Sequence, residues 1–233
     1  MGNTEIIKSS EIPYDEAISI VQETLGKDLL KPSDIEDLRP PDGMYLHPED
    51  PWHGLDHAVR VHALSFTNAQ LDLVGVRRIG ILMQSAPDVE TIDFLGLGIA
   101  AIGHDSGRHP GCPEEEHGNI GAGRIEEFLA GIIPDVSLRE AMYLTRMHVP
   151  PDHDSTMTRA LKALKNGDSL DRIRANGEMW GLKPSYLRGE SATLLISIAR
   201  QLHAQSQKLI DIYPQEDRFS LAMEAVIRVG LAR

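Results

Sequence analysis

Apolar residues recur along this chain at helical spacing, and no segment shows the sustained alternation of a half-buried strand. Residues 1–12 are polar and expected to be loose. From Tyr14 to Leu25 the apolar positions Ala17, Ile18, Ile20, Val21 and Leu25 keep a helical rhythm. "KPSDIEDLRPPDG" reads as a short helical turn stopped by Pro40-Pro41, with a loop running on through Pro51. A helix is predicted from near His53 through "HAVRVHALSFTNAQLDLV". A glycine-containing break follows, then "RRIGILMQSAPDVE", whose pattern decides for neither helix nor strand. "TIDFLGLGIAAIGH" reads as an apolar helix and residues 105–116, "DSGRHPGCPEEE", as a loop with two glycines and two prolines. Helix resumes at "HGNIGAGRIEEFLAGII", is punctuated by Pro134-Asp135, and continues as "SLREAMYLTRMH" up to Val149-Pro150-Pro151. "STMTRALKALKNGDSLDRIRANG" carries a further helix, and a Gly/Pro connector through "WGLKPSY" leads to two amphipathic helices at roughly 187–212 and 216–232. There is no internal repeat. The pattern predicts an all-α fold.

Length and composition narrow the class. A chain of 233 residues can bury a sizeable core and fits one domain, 1–233, better than two. Its hydrophobic content of 41% and charged content of 25% are those of an ordinary soluble globular protein. Thirty-five acidic against 23 basic side chains give a net charge of −12, which repels a nucleic-acid backbone or an anionic membrane as main partner. A small anion held in a local basic pocket is still compatible. The single cysteine, Cys112, rules out an intramolecular disulfide. The opening "MGNTEIIKSSEIPYDEA" has no long apolar run, and every apolar stretch is interrupted well short of a bilayer's width. A cytoplasmic enzyme is the expectation.

Candidate chemistry sits where histidines meet carboxylates. "WHGLDHAVRVH" places His53 and His57 four apart at the start of an apolar helix, so both project from one face. Neutral imidazoles so spaced suit a transition metal, although satisfied backbone carbonyls are an equally ordinary fate for such a pair. His62 points elsewhere. His104-Asp105 closes the apolar segment "FLGLGIAAIGH", where a buried carboxylate beside a buried imidazole needs a cation or strong hydrogen bonds to offset desolvation. Asp168 and Asp171 lie on the helix containing Leu161 and Leu164. Asp171 reads as part of a solvated face paired with Arg172 or Arg174, and Asp56 as a cap or a solvent-facing acid. Glu114-Glu115-Glu116 reads as acids complementing a helix N-terminus, and Trp52 and Trp180 read as packing residues.

His57 in "HAVRV", His104-Asp105 in "IGHDSG" and Asp168 in "GDSLDRIR" resemble, in order and helical context, the H…HD…D pattern of the HD-domain metal-dependent phosphohydrolases. The resemblance spans roughly residues 50–175. It implies a compact helical bundle with additional N- and C-terminal helices, and His57, His104, Asp105 and Asp168 as ligands of one divalent ion. "HGLDHAVRV" and "HDSGRHPG" are also similar to segments of cyclic-nucleotide phosphodiesterases, which casts His53 as the acid that protonates the leaving oxygen. Gly54 stands where those enzymes have asparagine, and one extra residue precedes His109, so the likeness implies shared chemistry and not membership. In some HD proteins, among them the HD-GYP phosphodiesterases and the HD-fold diiron oxygenases, two further histidines bind a second metal. His117 and His148 occupy the matching order, with Asp105 as bridging ligand; the alternative is that His117 lines the pocket and binds substrate.

The implied activity is a phosphohydrolase or phosphodiesterase acting on a nucleotide or other small phosphoester. An ion (Mn, Mg, Fe or Zn) polarises water for attack on phosphorus, Asp105 is central to the chemistry, and His53 or His109 donates the proton. Arg108 and Arg146 are candidates for gripping phosphate, Arg108 the better because it follows HD in a glycine-rich loop; Lys165 is a third. The alternatives are an HD-fold diiron oxygenase and a non-catalytic HD module that senses a nucleotide. The helices at 187–232 either complete the bundle or form a homodimer face.

Overall fold

The structure is a computed structural model that describes residues 11–82, 91–149, 157–174 and 181–233. Among them are ten α-helices and no strand; Leu30 and Ala232 form an isolated bridge. The helices are α1 (Tyr14–Leu25), α2 (Pro32–Glu36), α3 (Leu55–Leu82), α4 (Phe94–Gly103) and α5 (His117–Leu129), then α6 (Asp135–Met147), α7 (Arg159–Asp171), α8 (Glu190–Leu194), α9 (Ile196–Ile212) and α10 (Arg218–Arg228). The all-α expectation holds.

α3 is the axis of the bundle, with α1, α4, α7 and α10 packed along it. Its N-terminal half is buried on nearly every face: Ala58, Val59, Val61, Ala63 and Leu64 are all fully enclosed. One apolar cluster joins α3 to α1, α9 and α10 through residues such as Val21, Leu202, Phe219 and Val226. A second joins it to α4, α6 and α7 through Leu97, Ala100, Leu144, Ala163 and Leu164. Side-chain caps fix the starts of three helices: Asp93 accepts from the amides of Leu95 and Gly96, Thr158 from Leu161, and Asp217 from Ser220. The last residues pack back on α1 and the segment after it, with the Arg233 amide donating to the Leu30 carbonyl at 3.1 Å and the Tyr14 hydroxyl to that of Val229 at 3.1 Å.

Three helix boundaries differ from the sequence expectation. α3 starts at Leu55, so His53 lies in the turn before it; there Asp50 Oδ1 accepts from the amides of both Trp52 and His53 at 2.8 Å, which holds the turn open. No break follows "LDLV": the helix continues through Gly75 to Leu82, since a single glycine lowers propensity without ending a helix packed along its length. The helix expected over 187–212 is split at Leu195 into α8 and α9. The looseness expected for residues 1–10, the end of "RRIGILMQSAPDVE" at 83–90, residues 150–156 and Trp180 lie outside the described residues.

Candidate metal centre

Three elements meet at one end of the second cluster. α3 brings His57 from its first turn, the turn leaving α4 brings His104 and Asp105, and α7 brings Asp168. α7 comes close enough because residue 167 is glycine: a Cβ there would lie 2.8 Å from the Val61 carbonyl oxygen of α3 and would collide with Ser65 Oγ. α5 is admitted in the same way by Gly121, whose missing Cβ would sit 2.7 Å from the His104 carbonyl oxygen.

His57 Nε2 lies 3.2 Å from His104 Nε2, 3.4 Å from Asp105 Oδ2 and 3.6 Å from Asp168 Oδ1. His104 Nε2 is 3.4 Å from Asp105 Oδ2 and 4.0 Å from Asp168 Oδ1. Ligand bonds of about 2.1 Å around one ion put neighbouring donors about 3.0–3.4 Å apart, so these separations are near the edges of a coordination polyhedron. The tautomers agree. His57 Nδ1 donates to Asp171 Oδ2 at 2.7 Å and His104 Nδ1 to the Ala101 carbonyl at 2.8 Å, which leaves both Nε2 lone pairs aimed at the common point. His57, His104 and Asp105 are buried, while Asp168 keeps 20% of its side chain exposed and forms the open edge.

Charge follows from this packing. Burial penalises the charged form of His104, but the Asp105 and Asp168 carboxylates outweigh it and lift the imidazole to about 9, so without an ion Nε2 also carries a proton, which a metal would have to displace. Burial works against the Asp105 and Asp168 carboxylates too; His104 and other cationic neighbours override it, holding Asp105 well below its ordinary value and Asp168 down to about 2. Both acids are therefore anionic at neutral pH, as a metal ligand must be.

The other oxygen of Asp105 faces a second group. Asp105 Oδ1 is 3.6 Å from His117 Nε2 and 4.0 Å from His148 Nε2, and the two imidazole nitrogens are 2.9 Å apart. His148 Nδ1 donates to the Thr145 carbonyl at 2.5 Å. Burial first, and then the neighbouring His104, push His148 down to about 3, and burial also holds His117 below its ordinary value. These residues, like His57, His104 and Asp105, form a group able to hold a metal ion.

The remaining sequence candidates divide. His53 is half-buried with its ring centroid 6.2 Å from that of His57. Arg108 is within reach of the cluster but engaged: it donates to His117 Nδ1 and to Glu114 Oε2, each at 2.7 Å. Lys165 is buried and donates to the Val149 carbonyl at 3.2 Å. His109 is exposed with its ring against the Pro110 carbonyl, and Arg146 is exposed on α6; neither is brought to the cluster.

Three readings of single residues are corrected. Asp171 is not on a solvated face but 1% exposed, holding His57 and, through Oδ1, Arg60 Nε at 2.8 Å. Asp56 is buried and takes Arg60 Nη1 at 2.7 Å. Trp52 is 48% exposed and not a packing residue. Glu114 to Glu116 do stand before the N-terminus of α5, with Glu116 at its N-cap, and Glu114 also pairs with Arg108. Arg60 itself was missed. It is 1% exposed and also donates to Ser206 Oγ at 3.1 Å. The one sequence signal was an arginine inside an otherwise apolar helical face, which a buried acid must answer.

No family model, characterised protein or solved structure matches the chain.

Proposed function

We propose that the chain is a metal-dependent phosphohydrolase that cleaves a nucleotide or another small phosphoester. The observation that carries this reading is the convergence of His57 Nε2, His104 Nε2, Asp105 Oδ2 and Asp168 Oδ1 from three elements at ligand spacing, with both imidazole tautomers set to offer lone pairs. The order of those four residues is that of the HD pattern, which supports the choice of chemistry. A divalent ion in this position supplies Lewis acidity: it makes water acidic enough to attack at neutral pH and neutralises charge gathering on phosphoryl oxygens.

The chain's own groups do the rest. Asp171 keeps the His57 proton on Nδ1, and Ala101 does the same for His104. Asp105 and Asp168 stay ionised because His104 sits between them. His53, steadied by the Asp50 turn beside His57, is the group placed to hold a proton for the leaving oxygen. The partly exposed edge of Asp168 is the side from which a small anion enters.

The test is a phosphoester panel assayed with added Mn²⁺, Mg²⁺, Fe²⁺ or Zn²⁺. Turnover should depend on the ion, and Asp105→Ala should lower it by more than about a hundredfold, beyond the loss expected for an outer partner, with helical circular dichroism unchanged. Metal-independent turnover, or wild-type rates in Asp105→Ala, would contradict the reading. The second half-site at His117 and His148 favours one other reading, an HD-fold diiron oxygenase. Bound iron whose visible absorption responds to reductant, without phosphoester turnover, would select it.

A further inference from the structure

Of the four imidazoles around Asp105, three turn Nδ1 toward an oxygen acceptor and one does not. His57 faces Asp171, His104 the Ala101 carbonyl and His148 the Thr145 carbonyl, so in each the proton of the neutral ring is on Nδ1 and its lone pair on Nε2. His117 is reversed. Its Nδ1 faces Arg108 Nη1 at 2.7 Å. A guanidinium has donors only, so the His117 Nδ1 must accept, and the proton of the neutral ring is on Nε2. That proton points at His148 Nε2, 2.9 Å away, which has the lone pair to take it. The result is one directed chain, Arg108 to His117 to His148 to the Thr145 carbonyl, anchored at its outer end by Glu114 Oε2 on Arg108 Nη2. In this arrangement His117 Nε2 has no lone pair for an ion.

We propose that Arg108 is a latch on the second half-site: by fixing the His117 tautomer it keeps the space between Asp105 Oδ1, His117 and His148 closed to a metal, so that the chain takes one ion at His57, His104, Asp105 and Asp168. A second ion enters only when Arg108 leaves His117 and the ring proton moves from Nε2 to Nδ1. This rests on the reading that the cluster binds metal. It assigns Arg108 a positioning role through His117 and not the direct grip on phosphate expected from the sequence.

The experiment is calorimetric titration of the metal-free protein with Mn²⁺ or Zn²⁺ alone, comparing wild type with Arg108→Lys and Arg108→Gln, together with ¹H–¹⁵N long-range correlation spectra of the histidine rings. Lysine keeps a donor and the charge; glutamine can turn its carbonyl to accept from Nδ1. Wild type and Arg108→Lys should bind one ion, with any second step at least about tenfold weaker, and Arg108→Gln should strengthen that second step about tenfold or more, the scale on which an outer partner tunes a metal ligand. The spectra should show the His117 proton on Nε2 in the metal-free wild type and on Nδ1 in Arg108→Gln; a mere removal of positive charge would strengthen binding without moving the proton. Two equal binding steps in wild type, an unchanged second step in Arg108→Gln, or a wild-type His117 already protonated on Nδ1 overturns the latch and leaves the first half-site standing. Absence of any bound ion in all three proteins overturns the metal reading and the latch with it. The spectrum of the wild type decides the tautomer even where a variant folds poorly.

Discussion

Asp171 answers two demands with one carboxylate. Oδ2 takes the His57 Nδ1 proton and Oδ1 neutralises Arg60, itself enclosed among apolar residues of α3. Removing its charge leaves Arg60 with Asp56 alone and frees the His57 ring to turn. Asp171→Asn should therefore weaken metal binding by about 10–100-fold and cost about 3 kcal/mol of stability, the scale of breaking a buried pair; calorimetry and urea unfolding read the two losses, and an unchanged metal affinity would refute the positioning role. His62 is a separate case. It is 2% exposed, neither ring nitrogen has a partner among the described residues, and burial pushes it down to about 4. Above its ordinary value of 6.5 the ring is neutral folded or unfolded; below 6.5 the unfolded chain takes a proton that the folded ring refuses until about 4. Stability should fall across that window by something on the order of 3 kcal/mol, and His62→Leu should be the more stable protein at pH 7 and lose most of this dependence. Unfolding curves at pH 7 and pH 4.5 check it; parallel losses in both proteins would show another group responsible. At this scale the sequence was legible where residues stand in ordered motifs, as His57, His104, Asp105 and Asp168 do. It misplaced Asp171 and passed over Arg60, because whether an acid on one helix faces solvent or a buried arginine depends on the crossing of two helices far apart in the chain.

Helix crossings carry the site's precision. α7 meets α3 at Gly167, the residue next to Asp168, and a methyl there would press on the Val61 carbonyl and the Ser65 amide, both backbone. Backbone cannot step aside as a side chain can. Gly167→Ala should cost about 1–3 kcal/mol and weaken metal binding as Asp168 shifts. Gly123→Ala, on an exposed face of α5 with no atom near the added carbon, should be neutral or slightly stabilising. Chemical unfolding of the pair measures the contrast, and equal effects would mean that the crossing is not tight. Apolar rhythm sufficed to locate α1, α5 and α6, whose periodic faces are bounded by proline, glycine or a run of acids. It misread α3 at Gly75, where a single glycine reads as a break although the helix runs on through it. Leu195, where α8 gives way to α9, has no proline or glycine to mark it.

At the scale of the molecule, α3 separates two clusters with different work. Helices α1, α9 and α10 enclose one side, where Tyr14 and Leu30 bond to Val229 and Arg233, while α4 to α7 build the other and hold the site together with α3. Arg60 links the halves, reaching from the acid behind His57 to Ser206 on α9. No helix among the described residues is long and apolar enough to cross a membrane. Against a net charge of −12, the site's own acids are offset locally by imidazole and guanidinium, which the overall composition conceals. The most direct test of the shared ion is a crystal of the protein grown with Mn²⁺ or Zn²⁺ and measured at the absorption edge of that metal. The account requires an anomalous peak about 2.0–2.2 Å from His57 Nε2, His104 Nε2, Asp105 Oδ2 and Asp168 Oδ1. Ordered side chains at those four positions with no peak among them, or a peak elsewhere in the bundle, would contradict it.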